Sequence, residues 1–181
     1  MVMQDQAPGA LETVRAFVNT LDLGSGADEL TDPKALQTWL EEHALIRATR
    51  LGPADLNSAR GLREALRSLM LENNGVDARD EAAITLNRVA ERGRLVPRFD
   101  REGSVRFEAA AAGARGALGH LVGIAAAAMA DGTWHRLKAC RAERCGWAFY
   151  DHARNHSRTW CSMAVCGNRT KARLYRRRHA D

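Results

Sequence analysis

Four cysteines, Cys140, Cys145, Cys161 and Cys166, are the residues of this chain best suited to chemistry. They form two C-x4-C pairs with fifteen residues between them. Two short-range pairs joined by a loop can deliver the four tetrahedral ligands that zinc takes. Gly146, directly after the second cysteine, lets the chain turn tightly around a metal. Free thiols, two disulfides and a redox pair are the competing accounts. Symmetric spacing makes four idle thiols a coincidence, disulfides conflict with the reducing compartment inferred below, and thioredoxin-like redox chemistry favours C-x-x-C beside a βαβ pattern. Four thiolates leave no open position for water, so the expectation is one structural Zn2+ per chain. His152 and His156, at i and i+4 between the pairs, are the alternative ligands, but four sulfurs already fill a tetrahedron.

The residues around the cysteines define the element that must hold them. Trp134 to Cys140 and Gly146 to Tyr150 read as a hairpin whose turn carries the first pair, and the second pair falls at the start of a helix running from about Ser162 to Arg178. A hairpin knuckle followed by such a helix is a treble-clef-like arrangement, and the positive end of the helix helps keep thiolates deprotonated. Trp147, Trp160 and Phe149 supply a small core over the metal, with base stacking as the sharper alternative. The segment from Arg136 to Asp181 carries twelve Lys/Arg against three Asp/Glu, a charge of +9, whereas the preceding residues sum to −4. Such a module faces an anion: nucleic acid first, then an acidic membrane surface or protein. Arg169, Lys171, Arg173, Arg176, Arg177 and Arg178 lie on the helix, and Arg154, Asn155 and Arg158 on the loop before it. Arginine forms bidentate bonds to phosphate or guanine and asparagine to adenine, so Asn155 and Asn168 are candidates for contacts beyond charge.

The body, residues 1–131, reads as a helical domain, with residues 132–181 forming the basic module. Apolar spacing predicts helices over Ala10 to Leu23, from Thr31-Asp32-Pro33 to about Ala44, from Pro53 to Asn73-Asn74-Gly75, over roughly Ala78 to Arg92, and over residues 109 to 130. Leu95 to Phe99 and Val105 to Phe107 bracket a turn and predict a short β-hairpin. The fold class is therefore mainly α with a small hairpin. The longest apolar run, Leu121 to Ala130, is about half what a membrane span requires. The first six residues lack the basic start and apolar stretch of a signal peptide, which predicts a cytoplasmic chain. The body shows no phosphate loop, nucleophile triad or His pair at ligand spacing, so no enzyme is expected. His43 and His120 stand alone in helices, and Asn19-Thr20 between Phe17-Val18 and Leu21 is explained as well by local bonding as by a pocket.

The segment Cys140 to Arg178, with Trp160-Cys161-Ser162-Met163 and the intact Cys166-Gly167-Asn168-Arg169, resembles the CGNR zinc finger. Phe17-Val18-Asn19-Thr20-Leu21 and the Leu36 to Leu40 stretch resemble the ABATE domain that precedes this finger in bacterial proteins described as stress-induced transcription regulators. The resemblance implies a one-component regulator: a zinc finger that binds DNA and an N-terminal domain that senses a small-molecule effector or state. By position, it also implies Cys140, Cys145, Cys161 and Cys166 as zinc ligands and adds weight to Asn19 and Thr20 as pocket residues. Asp151-His152-Ala153 departs from the Asp-Thr-Ser that is common in the family at this point, so a hydroxyl contact to phosphate is missing there. A protein-interaction module and an RNA-binding protein are the rival readings. No heptad repeat marks an oligomer, which leaves a homodimer open.

Overall fold

The computed structural model describes residues 5–47, 49–77 and 80–179. Residues 1–4 of the signal-peptide reading and the expected helix start at Ala78 lie outside these. The first helix, α1 (Leu11–Val18), buries Leu11, Val14, Phe17 and Val18. It is shorter than its apolar spacing suggests. After Val18 the chain reverses: the Asp22 amide donates to the Ala27 carbonyl (2.9 Å) and the Glu29 amide to that of Thr20 (2.7 Å). Helix α2 (Pro33–Glu42) opens as expected, with the Asp32 carboxylate accepting from the amides of Lys34 (2.8 Å) and Ala35 (2.9 Å) and Pro33 in the first turn.

Helix α3 (Pro53–Glu72) is the spine of the molecule and buries Leu56, Leu62, Leu66 and Met70. It also buries Arg63 and Arg67. Arg63 takes Asp28 as its partner (2.6 Å) and so clamps the 21–30 loop to the helix. Helix α4 (Asp80–Gly93) leads into the hairpin of β1 (Leu95–Phe99) and β2 (Val105–Ala109), paired from Leu95 opposite Ala109 to Phe99 opposite Val105. Because Ala109 is held in this ladder, α5 (Gly113–Asp131) begins a turn later than the apolar pattern alone indicates. A left-handed Gly132 (φ +81°) ends it. Helices α4 and α5 touch backbone to backbone: a Cβ on Gly93 would lie 2.7 Å from the Gly119 Cα.

A single 3-10 turn, Trp134–Arg136, then carries the chain into a second hairpin, β3 (Leu137–Ala139) and β4 (Ala148–Tyr150). A π-helical turn, Met163–Gly167, runs directly into α6 (Asn168–Arg178). The mainly helical body, small β1–β2 hairpin and hairpin-plus-helix module match the fold class read from the sequence. Leu137, Ala139, Ala148 and Tyr150 join the core formed by α1, α2, α3 and α5, while Cys140, Ala142, Phe149 and Cys166 form a second cluster. Among the described residues no helix is long and apolar enough to cross a membrane.

Candidate metal centre and basic helix

Strand alternation divides the second hairpin between the two cores. Residues 137 and 139 pair with 150 and 148 on the face turned to the body, which leaves Lys138, Phe149 and Cys140 on the other. The Cys140 amide donates to the Trp147 carbonyl (3.0 Å), and a turn closed from the Cys145 amide to the Ala142 carbonyl (3.0 Å) returns the chain. Arg144 and Gly146 both take left-handed backbone in this loop, at φ +59° and +55°. Cys161 precedes the π-helical turn and Cys166 lies within it, with the Ser162 hydroxyl accepting from the Val165 amide (3.3 Å). A Cβ on Gly167 would press on Trp160 (3.1 Å) and on the Met163 sulfur, so the turn packs closely here.

The four Sγ atoms lie within 4.8 Å of one another. Cys145 to Cys161, Cys161 to Cys166 and Cys166 to Cys145 are each 3.6 Å apart. Sulfurs about 2.3 Å from a tetrahedral zinc stand about 3.8 Å from each other, whereas a disulfide requires about 2.05 Å. All four are free thiols. Their mutual electrostatics also call for a cation. Hydrogen bonds from Cys145 and Cys161 hold the Cys140 thiol down to about 2, and that thiolate in turn pushes Cys145 up to about 12 and Cys161 upward as well. One negative sulfur opposes the ionisation of its neighbours until a divalent ion offsets the charge. The site therefore fits one structural zinc held by Cys140, Cys145, Cys161 and Cys166, which would supply a cross-link and charge neutralisation rather than reaction chemistry. Phe149 is fully buried beside them, with Trp147 and Trp160 packed against the cluster, as their aromatic character predicted.

His152 and His156 stay outside the cluster. His152 Nε2 pairs with the Gln6 carbonyl (2.9 Å) and His156 Nδ1 with His135 Nε2 (3.1 Å).

The structure separates the expected nucleic-acid residues into two sets. Arg154, Asn155, Asn168, Arg169, Lys171, Arg176, Arg177 and Arg178 are exposed, and α6 buries none of its residues. Arg173 is half-buried and pairs with Glu143. Arg158 turns inward. Its Nε donates to the Trp160 carbonyl (3.0 Å), its guanidinium also reaches the Cys161 carbonyl and Asp5 (2.6 Å), and its charge sits 4.6 Å from the centre of the Phe149 ring. Those bonds tie the guanidinium to the finger and, through Asp5, to the body. Asn155 Oδ1 accepts from the Ser157 hydroxyl (2.8 Å), while its amide nitrogen has no recorded partner among the described residues.

Asn19 and Thr20 are both buried. Asn19 Nδ2 donates to the Ala148 carbonyl (2.9 Å) and its Oδ1 accepts from the Ala148 amide (2.7 Å), so one side chain in the body pairs with β4. The Thr20 hydroxyl donates to the Phe17 carbonyl (2.8 Å) and accepts from Arg63 (3.2 Å). These bonds join the body to itself and to the finger.

Several connecting residues were not visible as such in the sequence. Arg67 donates to the Gly146 carbonyl (2.6 Å) and to that of Val18 (2.7 Å). Asn73 Nδ2 donates to the carbonyls of Trp134 (2.9 Å) and Leu137 (2.8 Å), and Asn74 Nδ2 to those of Ala139 and Thr159 (2.8 Å each). The available signal was Arg63 and Arg67, one helical turn apart among Leu62, Leu66 and Met70 on an apolar face. Fully buried Asp151 accepts from Lys138 Nζ (2.8 Å) and from the amides of Ala153 and Arg158 (2.9 Å each).

Gly146→Ala is expected to cost about 2–4 kcal/mol, because the left-handed backbone disfavours a Cβ and that Cβ would lie 2.7 Å from Leu23 Cδ1 and 3.3 Å from Arg67 Cδ. Urea unfolding of the zinc-loaded protein measures this, and an unchanged midpoint would mean that the loop can relax at no cost.

Residues 136–179 match the CGNR zinc finger family. Residues 12–132 match the ABATE family, whose description is "Putative stress-induced transcription regulator". Neither description is that of an enzyme family. No curated protein matches the chain.

Proposed function

We propose, from the premise that this chain belongs to the ABATE family and carries a CGNR zinc finger, that it is a DNA-binding transcription regulator whose finger contacts the duplex and whose body carries the effector response. The observation that carries this reading is α6 itself. An eleven-residue helix with Arg169, Lys171, Arg176, Arg177 and Arg178 exposed and no buried residue extends from a turn pinned by Cys166. A basic helix fixed at its root presents charge in one orientation, which a solvated basic tail does not. Arg154 and Asn155 on the preceding loop extend the surface, and Asn155 is our candidate for a base contact. Functionally we divide the chain at residues 131/132, although the β3–β4 hairpin of the finger shares the core of the body.

For the effector we favour a cavity of about 810 Å³ rather than Asn19 and Thr20. Its apolar lining includes Leu11, Phe107, Ile124 and Ala128, and its polar lining is Arg106, Glu108, His120, Asp131 and Thr133. Helix α1 starts at this cavity and ends next to Asn19, which holds β4, so a ligand that shifted α1 would act on the finger through one short helix.

The test is a gel-shift titration on mixed-sequence duplex DNA across a salt series. We expect log affinity to fall with log salt at a slope of about −3 to −5, as four or five phosphates release their counterions. Removing zinc should abolish the shift. Binding that is indifferent to salt, or no shift at low salt, would overturn the reading. A second reading, an acidic protein partner, draws on Met163, Val165, Leu174 and Tyr175, which leave apolar surface exposed beside the arginines. Recovery of such a partner with no duplex binding at any salt would favour it.

A further inference from the structure

The loop between the first two cysteines carries an arginine that takes no part in holding the metal. Arg144 is exposed, and among the described residues it makes no hydrogen bond or ion pair. Its left-handed backbone sits one residue before Cys145, so the four-sulfur cluster fixes where it stands. Arg144 and Arg169 line two adjoining clefts. The first, of about 440 Å³, is also lined by Glu143, Thr170, Arg173 and Arg176, with Gly24 of the body as the opposite wall. The second, of about 560 Å³, passes over Cys145, Cys161 and Cys166 to Asp22 and Ser25.

The first cleft gathers four guanidinium groups against one carboxylate. Glu143 satisfies part of Arg173, whose Nε is nonetheless buried with no hydrogen-bond partner among the described residues. Three positive charges and a hydroxyl are left over in a concave site whose walls come from the cysteine loop, α6 and the Gly24 turn. Guanidinium groups bind phosphate in a fork, and a concave wall concentrates their field.

We infer that this cleft seats one backbone phosphate of a bound nucleic acid, with Arg144 and Arg169 as its principal donors. The inference rests on the nucleic-acid reading of the finger and adds to it a residue outside the basic helix. Gly24 places the body at the edge of the phosphate site, so the contact belongs to the joined molecule and not to α6 alone.

Arg144→Asn tests it, since asparagine tolerates left-handed backbone and removes the charge. Zinc content and melting temperature of the variant should equal those of the parent chain. In the same salt series, the slope for duplex DNA should become shallower by about one and affinity at low salt should fall about tenfold, equally on all sequences. Arg101→Ala, in the exposed turn between β1 and β2, serves as a charge control and should leave the slope unchanged. An unaltered slope in Arg144→Asn, while the parent chain binds DNA, would overturn the cleft and leave the finger's function standing. Loss confined to certain sequences would make Arg144 a base contact and overturn the phosphate assignment. A parent chain that binds pyrophosphate but no duplex would overturn both the assignment to a nucleic-acid backbone and the reading it rests on.

Discussion

Cys161→Ser is expected to reduce zinc from one per chain to near zero and to unfold the turn and helix that follow the second cysteine pair. Cys161 lies 3.6 Å from both Cys145 and Cys166, so its loss removes a shared corner of the sulfur cluster. Structural zinc is worth on the order of 10 kcal/mol in small zinc modules, and little else holds the segment that follows Cys161. Beyond the metal, the turn Met163–Gly167 has Phe149, Trp147 and Trp160 for company, and α6 buries nothing. The hairpin itself should persist, because Leu137, Ala139, Ala148 and Tyr150 sit in the core of the body. The expected signature is a modest loss of helical circular dichroism at room temperature, matching α6 and its root, with most of the helix content intact and melting separately. Elemental analysis and a thermal scan followed at 222 nm check it. One zinc per chain in the variant, or a melting curve superimposable on that of the parent, would refute the four-thiolate site.

Asp151→Ala should be the most damaging change away from the cysteines, with a loss of about 3–5 kcal/mol. Asp151 is fully buried and Lys138 nearly so, and removing the acid leaves an ammonium inside the protein with only the carbonyls of His156 (2.5 Å) and Arg158 (3.3 Å). It also strips an acceptor from the amides of Ala153 and Arg158, which shape the loop between the cysteine pairs. Replacing both members, Asp151→Ala with Lys138→Met, should recover much of the loss, since no charge is then left unpaired. The same pair sets a pH limit. Burial on its own would raise the Asp151 carboxyl, but the hydrogen bond from Lys138 and those from the two amides together hold it below the ordinary carboxylate range. A folded-state value below the unfolded one, about 3.9, means that the stabilisation is fully present above that pH and fades as pH falls through the lower folded value. The gap in urea midpoint between the parent and Asp151→Ala should therefore be full at pH 7 and close only as pH falls below about 3.9 and through the folded Asp151 value. A gap that persists in acid would argue that the loss comes from packing and not from charge.

Much of this architecture was legible because it rests on local rules. The two C-x4-C pairs, the helix after the second pair, the Asp32-Pro33 start of α2 and the β1–β2 turn each declare themselves within a dozen residues. What could not be read depends on partners far along the chain. Asn19 meets Ala148 across 129 positions and Arg67 meets Gly146 across 79, and no spacing rule links such pairs. Tertiary demand also overrode local pattern at the end of α1, where apolar spacing continues to Leu21 but the chain reverses after Val18. Arg158 shows the limit of composition: one arginine among many on a basic loop, it serves the aromatic floor of the metal site while its neighbours face solvent. Asn73 and Asn74 look like the end of a helix and are that, yet their side chains have a second use.

That use bears on what happens when the two halves are parted. In a two-stranded antiparallel ribbon, every other residue turns its backbone groups outward, and here those residues are Leu137 and Ala139 on one side and Ala148 and Tyr150 on the other. Three of these four outward carbonyls are covered by an asparagine from the body: Asn73 on Leu137, Asn74 on Ala139 and Asn19 on Ala148. The body thus acts as an edge guard, supplying with side-chain amides the pairing that a third and fourth strand would otherwise provide. A finger expressed without residues 1–131 would present two bare strand edges together with the apolar face of Leu137 and Tyr150, the combination from which ribbons add to one another. Self-association would accompany any loss of fold, and zinc, which binds on the opposite face, would not prevent it.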